Sequence, residues 1–128
     1  MGLNILIVDD SAMVRTVMEN LARKVEPEVS NCFKAANGVE AISILEREAI
    51  TVVFADLHMP EMNGRELLDR IQAHDEWSNL PVIVFTSEMS DETEDDLSSR
   101  GAFACMGKPV TADDMRKVFD TLLGRTAQ

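Results

Sequence analysis

Three aspartates, a threonine and a lysine stand where apolar runs stop. Leu3 to Val8 leads into Asp9-Asp10, Ile50 to Ala55 into Asp56, Leu80 to Phe85 into Thr86-Ser87, and Ala102 to Met106 is followed closely by Lys108. Asp9-Asp10 alone would read as an exposed turn or helix-cap pair, and Lys108 alone as a surface lysine. Together they mean more, because three carboxylates gathered in one place repel and persist only when protonated or neutralised by a cation. Magnesium suits such a set, since it takes carboxylate, carbonyl and water oxygens and keeps positions open for phosphate. Lys108 adds a flexible point charge and Thr86 a hydroxyl, both suited to phosphate oxygens. The chemistry described is phosphoryl transfer to a carboxylate, where positioning and charge neutralisation do most of the catalysis.

For these residues to meet, the apolar runs must be strands of one sheet with their ends on one edge. Short β-rich runs alternate five times with amphipathic helical stretches, so the chain reads as (βα)₅. Strands are expected at Leu3 to Val8, Val29 to Ala35, Ile50 to Ala55, Leu80 to Phe85 and Ala102 to Met106. Their nearly continuous apolar character fits parallel strands covered on both faces, with Pro81 tolerated only near a strand start. Ser11 caps a helix whose Met13, Val14, Val17, Met18, Leu21 and Val25 recur at helical spacing. Asn37-Gly38 turns into a helix carrying Val39, Ile42 and Leu45 on one face, and a third helix bears Leu67, Leu68 and Ile71. A polar helix from Asp91 to Arg100 has Leu97 as its only large apolar residue, and Met115, Val118, Phe119, Leu122 and Leu123 mark a closing amphipathic helix. Parallel strands joined by right-handed crossovers give a doubly wound three-layer α/β sandwich. Such sheets bind ligands beyond the carboxyl ends of their strands, where the strand order reverses.

The 128 residues make one domain with room for a real core. At 45% hydrophobic and 27% charged, the composition is that of a soluble globular protein. No run approaches the roughly 18 apolar residues of a membrane span, and Met1-Gly2-Leu3-Asn4 has no signal-peptide character, so a cytoplasmic location is expected. Cys32 and Cys105 belong to no C-x-x-C pair and are expected to be buried, reduced thiols. A net charge of −11 disfavours nucleic acid and anionic membranes and favours basic partners.

Four segments in order, Val8-Asp9-Asp10-Ser11, Asp56-Leu57-His58-Met59-Pro60 with Gly64, Pro81 to Ser87, and Gly101-Ala102 leading to Lys108-Pro109, carry a resemblance. Over essentially its whole length the chain resembles the receiver domain of bacterial two-component response regulators, of the single-domain chemotaxis type. The resemblance implies a flavodoxin-like fold with a five-stranded parallel sheet in the order 2-1-3-4-5. It implies that Asp56 accepts a phosphoryl group from a phosphohistidine on a histidine kinase or phosphotransfer protein, or from a small phosphodonor. Asp10, Asp56 and the backbone carbonyl of His58 would ligate Mg2+, with Asp9 acting largely through water. Lys108 would pair with Asp56 and then its phosphate, Thr86 beside Ser87 would move to the phosphoryl group, and Pro109 falls at the family's cis-proline position.

By the same resemblance His58 and Glu88 would border the path of the water that hydrolyses the acyl phosphate, and they are expected to set the lifetime of the phosphorylated state, the plainer alternative being that both point into solvent. Asp91, Glu92, Glu94, Asp95 and Asp96 read as a solvated helix face, with an output surface for a basic partner as the sharper alternative. One departure concerns Cys105, which stands where many receivers carry a Tyr or Phe that swings inward. Phe103, two residues earlier, offers a partial substitute, although core burial accounts for it more simply. The whole is expected to be a stand-alone, monomeric switch over residues 1–128, with no output domain, acting on a downstream protein and not as an enzyme. A piece cut from a longer regulator would look the same. The alternatives are a receiver-like module that no longer uses phosphate and a magnesium-dependent phosphohydrolase with an aspartyl nucleophile, whose usual aspartate spacing the adjacent Asp9-Asp10 fits poorly.

Overall fold

The computed structural model describes residues 2–125. Met1 and residues 126–128, the ends of the expected domain, lie outside the described residues. Five strands, β1 (Leu3–Val8), β2 (Val29–Ala35), β3 (Val52–Asp56), β4 (Val82–Thr86) and β5 (Ala104–Gly107), alternate with five helices, α1 (Ala12–Val25), α2 (Gly38–Arg47), α3 (Gly64–Ala73), α4 (Asp91–Ser99) and α5 (Ala112–Leu122). All strand pairs are parallel and the order is β2-β1-β3-β4-β5, so the reversal lies between β1 and β3. The doubly wound fold and its expected strand order are therefore what the chain adopts.

The side-chain period of two divides the apolar strands between two cores. Ile5, Ile7, Val52, Phe54, Ile83 and Phe85 face Met18 and Ala22 of α1 and Met115 and Phe119 of α5. On that side the rings of Phe54 and Phe119 meet at 5.8 Å, tilted by 55°. Leu6, Val8, Val53, Ala55, Val82 and Val84 face Ile44 and Leu45 of α2, Leu67, Leu68 and Ile71 of α3, and Leu97 of α4. Burial on both faces is why these strands carry no alternating polar residues. Every helix starts on a side-chain cap: Ser11, Asn37, Asn63, Ser90 and Thr111 each accept a main-chain N–H of the first turn.

Three strands begin two residues later than their apolar runs suggest. Ile50 and Thr51 precede β3, whose first rung pairs Val52 with Ile5. Pro81 lacks an N–H and sits just outside β4. Phe103 donates its N–H to the carbonyl of Val82 but precedes β5. Asp56 and Thr86 consequently close their strands, so the ladder itself fixes their backbones.

Several residues are less buried than expected. Phe103 is 40% exposed, which removes core burial as its explanation. Cys32 and Cys105 are half-buried free thiols, because β2 and β5 are the sheet edges and are incompletely covered. Burial still raises both thiols, Cys32 to about 11. Met13 and Val17, on the apolar stripe of α1, are 76% and 49% exposed, and Val39 on α2 is exposed as well. The apolar stripe of α1 is wider than the face the sheet covers.

Candidate functional site

The four strand ends converge as their residue types require. Asp9 follows β1 and is fully buried, its Oδ1 accepting the N–H of Ser11 at 2.8 Å. Asp10 is exposed at the rim. Asp56, at the end of β3, is buried, and its Oδ1 accepts weakly from the N–H of His58 at 3.4 Å. One carboxylate oxygen from each aspartate lies within 4.8 Å of the others. Gly64 keeps this arrangement possible: a Cβ there would come 2.5 Å from the Asp56 carbonyl oxygen and 2.9 Å from the Leu57 Cα. Only glycine lets the start of α3 approach the acceptor strand so closely.

Lys108 bridges the cluster. Its Nζ stands 3.1 Å from Asp56 Oδ2 and 3.0 Å from Asp9 Oδ2, and 5.3 Å from the centre of the Phe85 ring. Its backbone N–H donates to the Thr86 carbonyl at 2.9 Å, and the Lys108–Pro109 peptide is cis. Burial pushes the Asp56 carboxyl up, helped by the neighbouring Asp9 charge and opposed by Lys108. Burial also disfavours the Lys108 ammonium, but the Asp9 and Asp56 carboxylates beside it outweigh this and hold Lys108 above its ordinary value. The pair is mutually supporting but unbalanced, since one ammonium cannot neutralise three carboxylates.

A hard cation fits what remains. Asp9 Oδ2 is buried without a hydrogen bond of acceptable geometry, Lys108 being only an ion-pair neighbour. An orphaned carboxylate oxygen among three convergent oxygens is the donor set magnesium takes.

Around the rim, Thr86 is buried and its Oγ1 accepts the N–H of Glu88 at 3.2 Å. His58 and Glu88, expected only to border the site separately, pair directly, with His58 Nε2 3.1 Å from Glu88 Oε1. No sequence signal foretells that contact, which depends on the β3–α3 and β4–α4 loops lying side by side. Ser87, Lys108 and Pro109 line an apolar groove of about 410 Å³ with Met13, Val17 and Val110. Cys105 faces the α2–α3–α4 core, away from this groove.

The family model for the response regulator receiver domain matches residues 5–120. The chain belongs to that family. It is 32% identical over 124 residues to the chemotaxis protein CheY-3 of Vibrio cholerae, covering 97% of this chain and 94% of that protein. A CheY homolog of Campylobacter jejuni is 28% identical over 123 residues, covering 95% and 93%. Among solved structures, CheY4 of Vibrio cholerae superposes with a TM-score of 0.85 at 23% identity, covering 95% of this chain and 99% of that one. The receiver domain of a Pseudomonas aeruginosa sensor histidine kinase, solved with a magnesium ion in its active site cleft, gives 0.83 at 21% identity and covers 97% and 99%. At those identities the structural likenesses establish the receiver fold. The receiver is a component of two-component signalling, whose members act as phosphorylation-dependent switches and generally not as enzymes.

Proposed function

We propose that Asp56 is the phosphoryl acceptor, serving a histidine kinase or phosphotransfer protein whose phosphohistidine is the donor. The observation that carries this reading is the convergence of Asp9, Asp10 and Asp56 with Lys108 bonded to Asp56. An oxygen of the Asp56 carboxylate attacks phosphorus, the P–N bond breaks with its electron pair going to nitrogen, and the donor imidazole, already protonated on its other ring nitrogen, leaves neutral. Asp10, Asp56 and the His58 carbonyl would hold Mg2+, with Asp9 acting chiefly through water. When bound, the ion offsets the charge gathered on the carboxylates and the phosphoryl oxygens. Lys108 holds the acceptor before transfer and pairs with a phosphoryl oxygen after it. Thr86 exchanges its bond with the Glu88 N–H for one to the phosphoryl group, with Ser87 beside it and Pro109 holding the lysine's direction.

Return to the resting state is hydrolysis: water attacks phosphorus, the P–O bond to Asp56 breaks, and inorganic phosphate leaves. His58 and Glu88 flank that approach and set its rate by orienting or obstructing the water. The phosphodonor's helix is assigned to the apolar groove bearing Met13 and Val17. That groove opens beside Lys108 and Ser87, and a donor bringing phosphorus within bonding distance of Asp56 must cover the adjoining surface. The output is a contact with a downstream protein, in keeping with a cytoplasmic monomer that engages neither nucleic acid nor membrane. No helix among the described residues is long and apolar enough to cross a membrane.

Intact-mass measurement after incubation with a small acyl-phosphate donor tests this reading. A single phosphoryl adduct that needs Mg2+ and is absent from Asp56→Asn is expected. An adduct that persists in Asp56→Asn would overturn the assignment.

A further inference from the structure

Arg15, in the first turns of α1, is a half-buried cation that the phosphoryl chemistry leaves unused. Its Nη1 donates to the backbone carbonyl of Asp9 at 2.5 Å, while its own N–H donates to the carbonyl of Ser11. The guanidinium therefore folds back over the turn that carries Asp9, Asp10 and Ser11. Its partner is a main-chain oxygen and not one of the neighbouring carboxylates. Asp9 lies one residue beyond β1, its N–H still bonded to Ala35 of β2 but its carbonyl past the end of the ladder, and Asp10 is one residue further still.

The geometry points to Arg15 as a positioning residue for cation binding: we infer that its bond to the Asp9 carbonyl fixes the Asp9–Asp10 peptide and so aims both carboxylates at the shared ion. This rests on the magnesium-dependent acceptor reading above. Asp9 is already anchored at its N–H, which donates to Ala35, and at its side chain, which accepts from Ser11. Arg15 holds the remaining polar group of Asp9, the carbonyl, which is the oxygen of the peptide leading into Asp10. Asp10, exposed and with no side-chain hydrogen bond or ion pair among the described residues, takes its direction from that peptide.

Charge and geometry predict opposite results, which makes the inference sharp. A cation beside an anionic metal site repels the metal, so removing charge alone strengthens Mg2+ binding. Losing the hydrogen bond that sets the turn weakens it. The test is isothermal titration of the metal-free full chain with MgCl2, for the wild type, Arg15→Gln and Arg15→Lys, with thermal melts of each. Arg15→Gln is expected to bind Mg2+ about three- to tenfold more weakly. Arg15→Lys, which keeps the charge and one donor, is expected to recover part of that loss. Unchanged or tighter binding in Arg15→Gln overturns the inference, even if its melting temperature falls, because a merely structural arginine would lower stability and spare the affinity. Should Arg15→Gln not fold, wild-type affinity in an Arg15→Lys variant whose lysine leaves the Asp9 carbonyl unbonded overturns it equally. Failure of the wild type itself to bind Mg2+ counts against the acceptor reading and is a separate result.

Discussion

The acceptor pocket and the α4–β5 face lie on the same sheet but are held by different forces. At the pocket, Asp9, Asp56 and Thr86 are buried, the central strands β1, β3 and β4 fix their backbones, and Gly64 lets α3 close against them. On the α4–β5 face, α4 buries one large side chain, Leu97, against an edge strand whose Cys105 is only half-buried. What else holds α4 is ionic: Asp96 binds Arg65 at 2.7 Å and Arg100 at 3.1 Å, and Arg100 reaches Asp69 at 2.7 Å. Arg65 and Arg100 hold the Asp96 carboxyl below its ordinary value, but all these groups are more than a third exposed or nearly so, where such bonds are weak and screened by salt. On the proposed acceptor reading, a well-packed site beside a lightly anchored helix would let a small change at Thr86 be read out as motion of α4.

The difference predicts a ranking of effects. Leu97→Ala should do the most damage, about 2–4 kcal/mol in urea unfolding, since it empties the only apolar anchor of α4. In hydrogen exchange the loss should concentrate in α4 and leave β1 and β3 protected. A uniform loss of protection would erase the contrast between the two regions. Lys108→Met comes next, with about 1–3 kcal/mol lost in the metal-free protein because Asp9 and Asp56 lose their common counter-charge. Added Mg2+ should return part of that stability, and an unaltered urea midpoint would show the pair to be idle.

Asp56→Asn should act in the opposite direction, raising metal-free stability near neutral pH. The sign follows from the raised carboxyl. With its folded-state value above its unfolded one, Asp56 costs nothing at acid pH, where both states are protonated. It destabilises the fold progressively as pH climbs through the folded value. The stability difference between Asp56→Asn and wild type should therefore grow from about pH 4 upward, in urea titrations at several pH values. A difference independent of pH would mean that burial and Asp9 do not strain the carboxylate.

The smallest effects belong to the rim. His58→Ala and Glu88→Ala are exposed changes that leave stability within about 0.5 kcal/mol, but each should alter the lifetime of the phosphorylated protein by a few-fold. Following phosphate loss by intact mass measures it, and unchanged rates in both variants would reduce their pairing to a surface contact. Phosphorylation of the wild type should change hydrogen exchange in α4 more than in α3, and equal protection before and after would remove α4 from the switch.

Much of this was legible in the residues. The apolar runs and helical periodicities, with Ser11 as a cap, located all five strands and helices, because burial imposes strong local patterns, whereas the caps at Asn63, Ser90 and Thr111 emerge only in the structure. The placement of Asp9, Asp10, Asp56, Thr86 and Lys108 at run ends was enough to nominate the pocket. Strand starts were less legible, since Ile50, Leu80 and Ala102 are apolar without belonging to a ladder, and only pairing with Ile5, Val53 and Ile83 shows where each strand begins. Phe103, Met13 and Val17 likewise read as core residues, yet the edge position of β5 and the limited footprint of α1 leave them at the surface.

The division between the two kinds of information follows from range. Sequence by itself determined the chemistry available and the edge of the sheet where it would gather, because residue type and local periodicity act over a few positions. Tertiary structure alone decided that Lys108 reaches Asp9 as well as Asp56, that His58 meets Glu88, and that Arg15 turns back onto the Asp9 carbonyl. Each of those contacts is set by where a loop or helix start comes to rest against its neighbours. That placement is a sum over the packing of both cores, and no single segment encodes it.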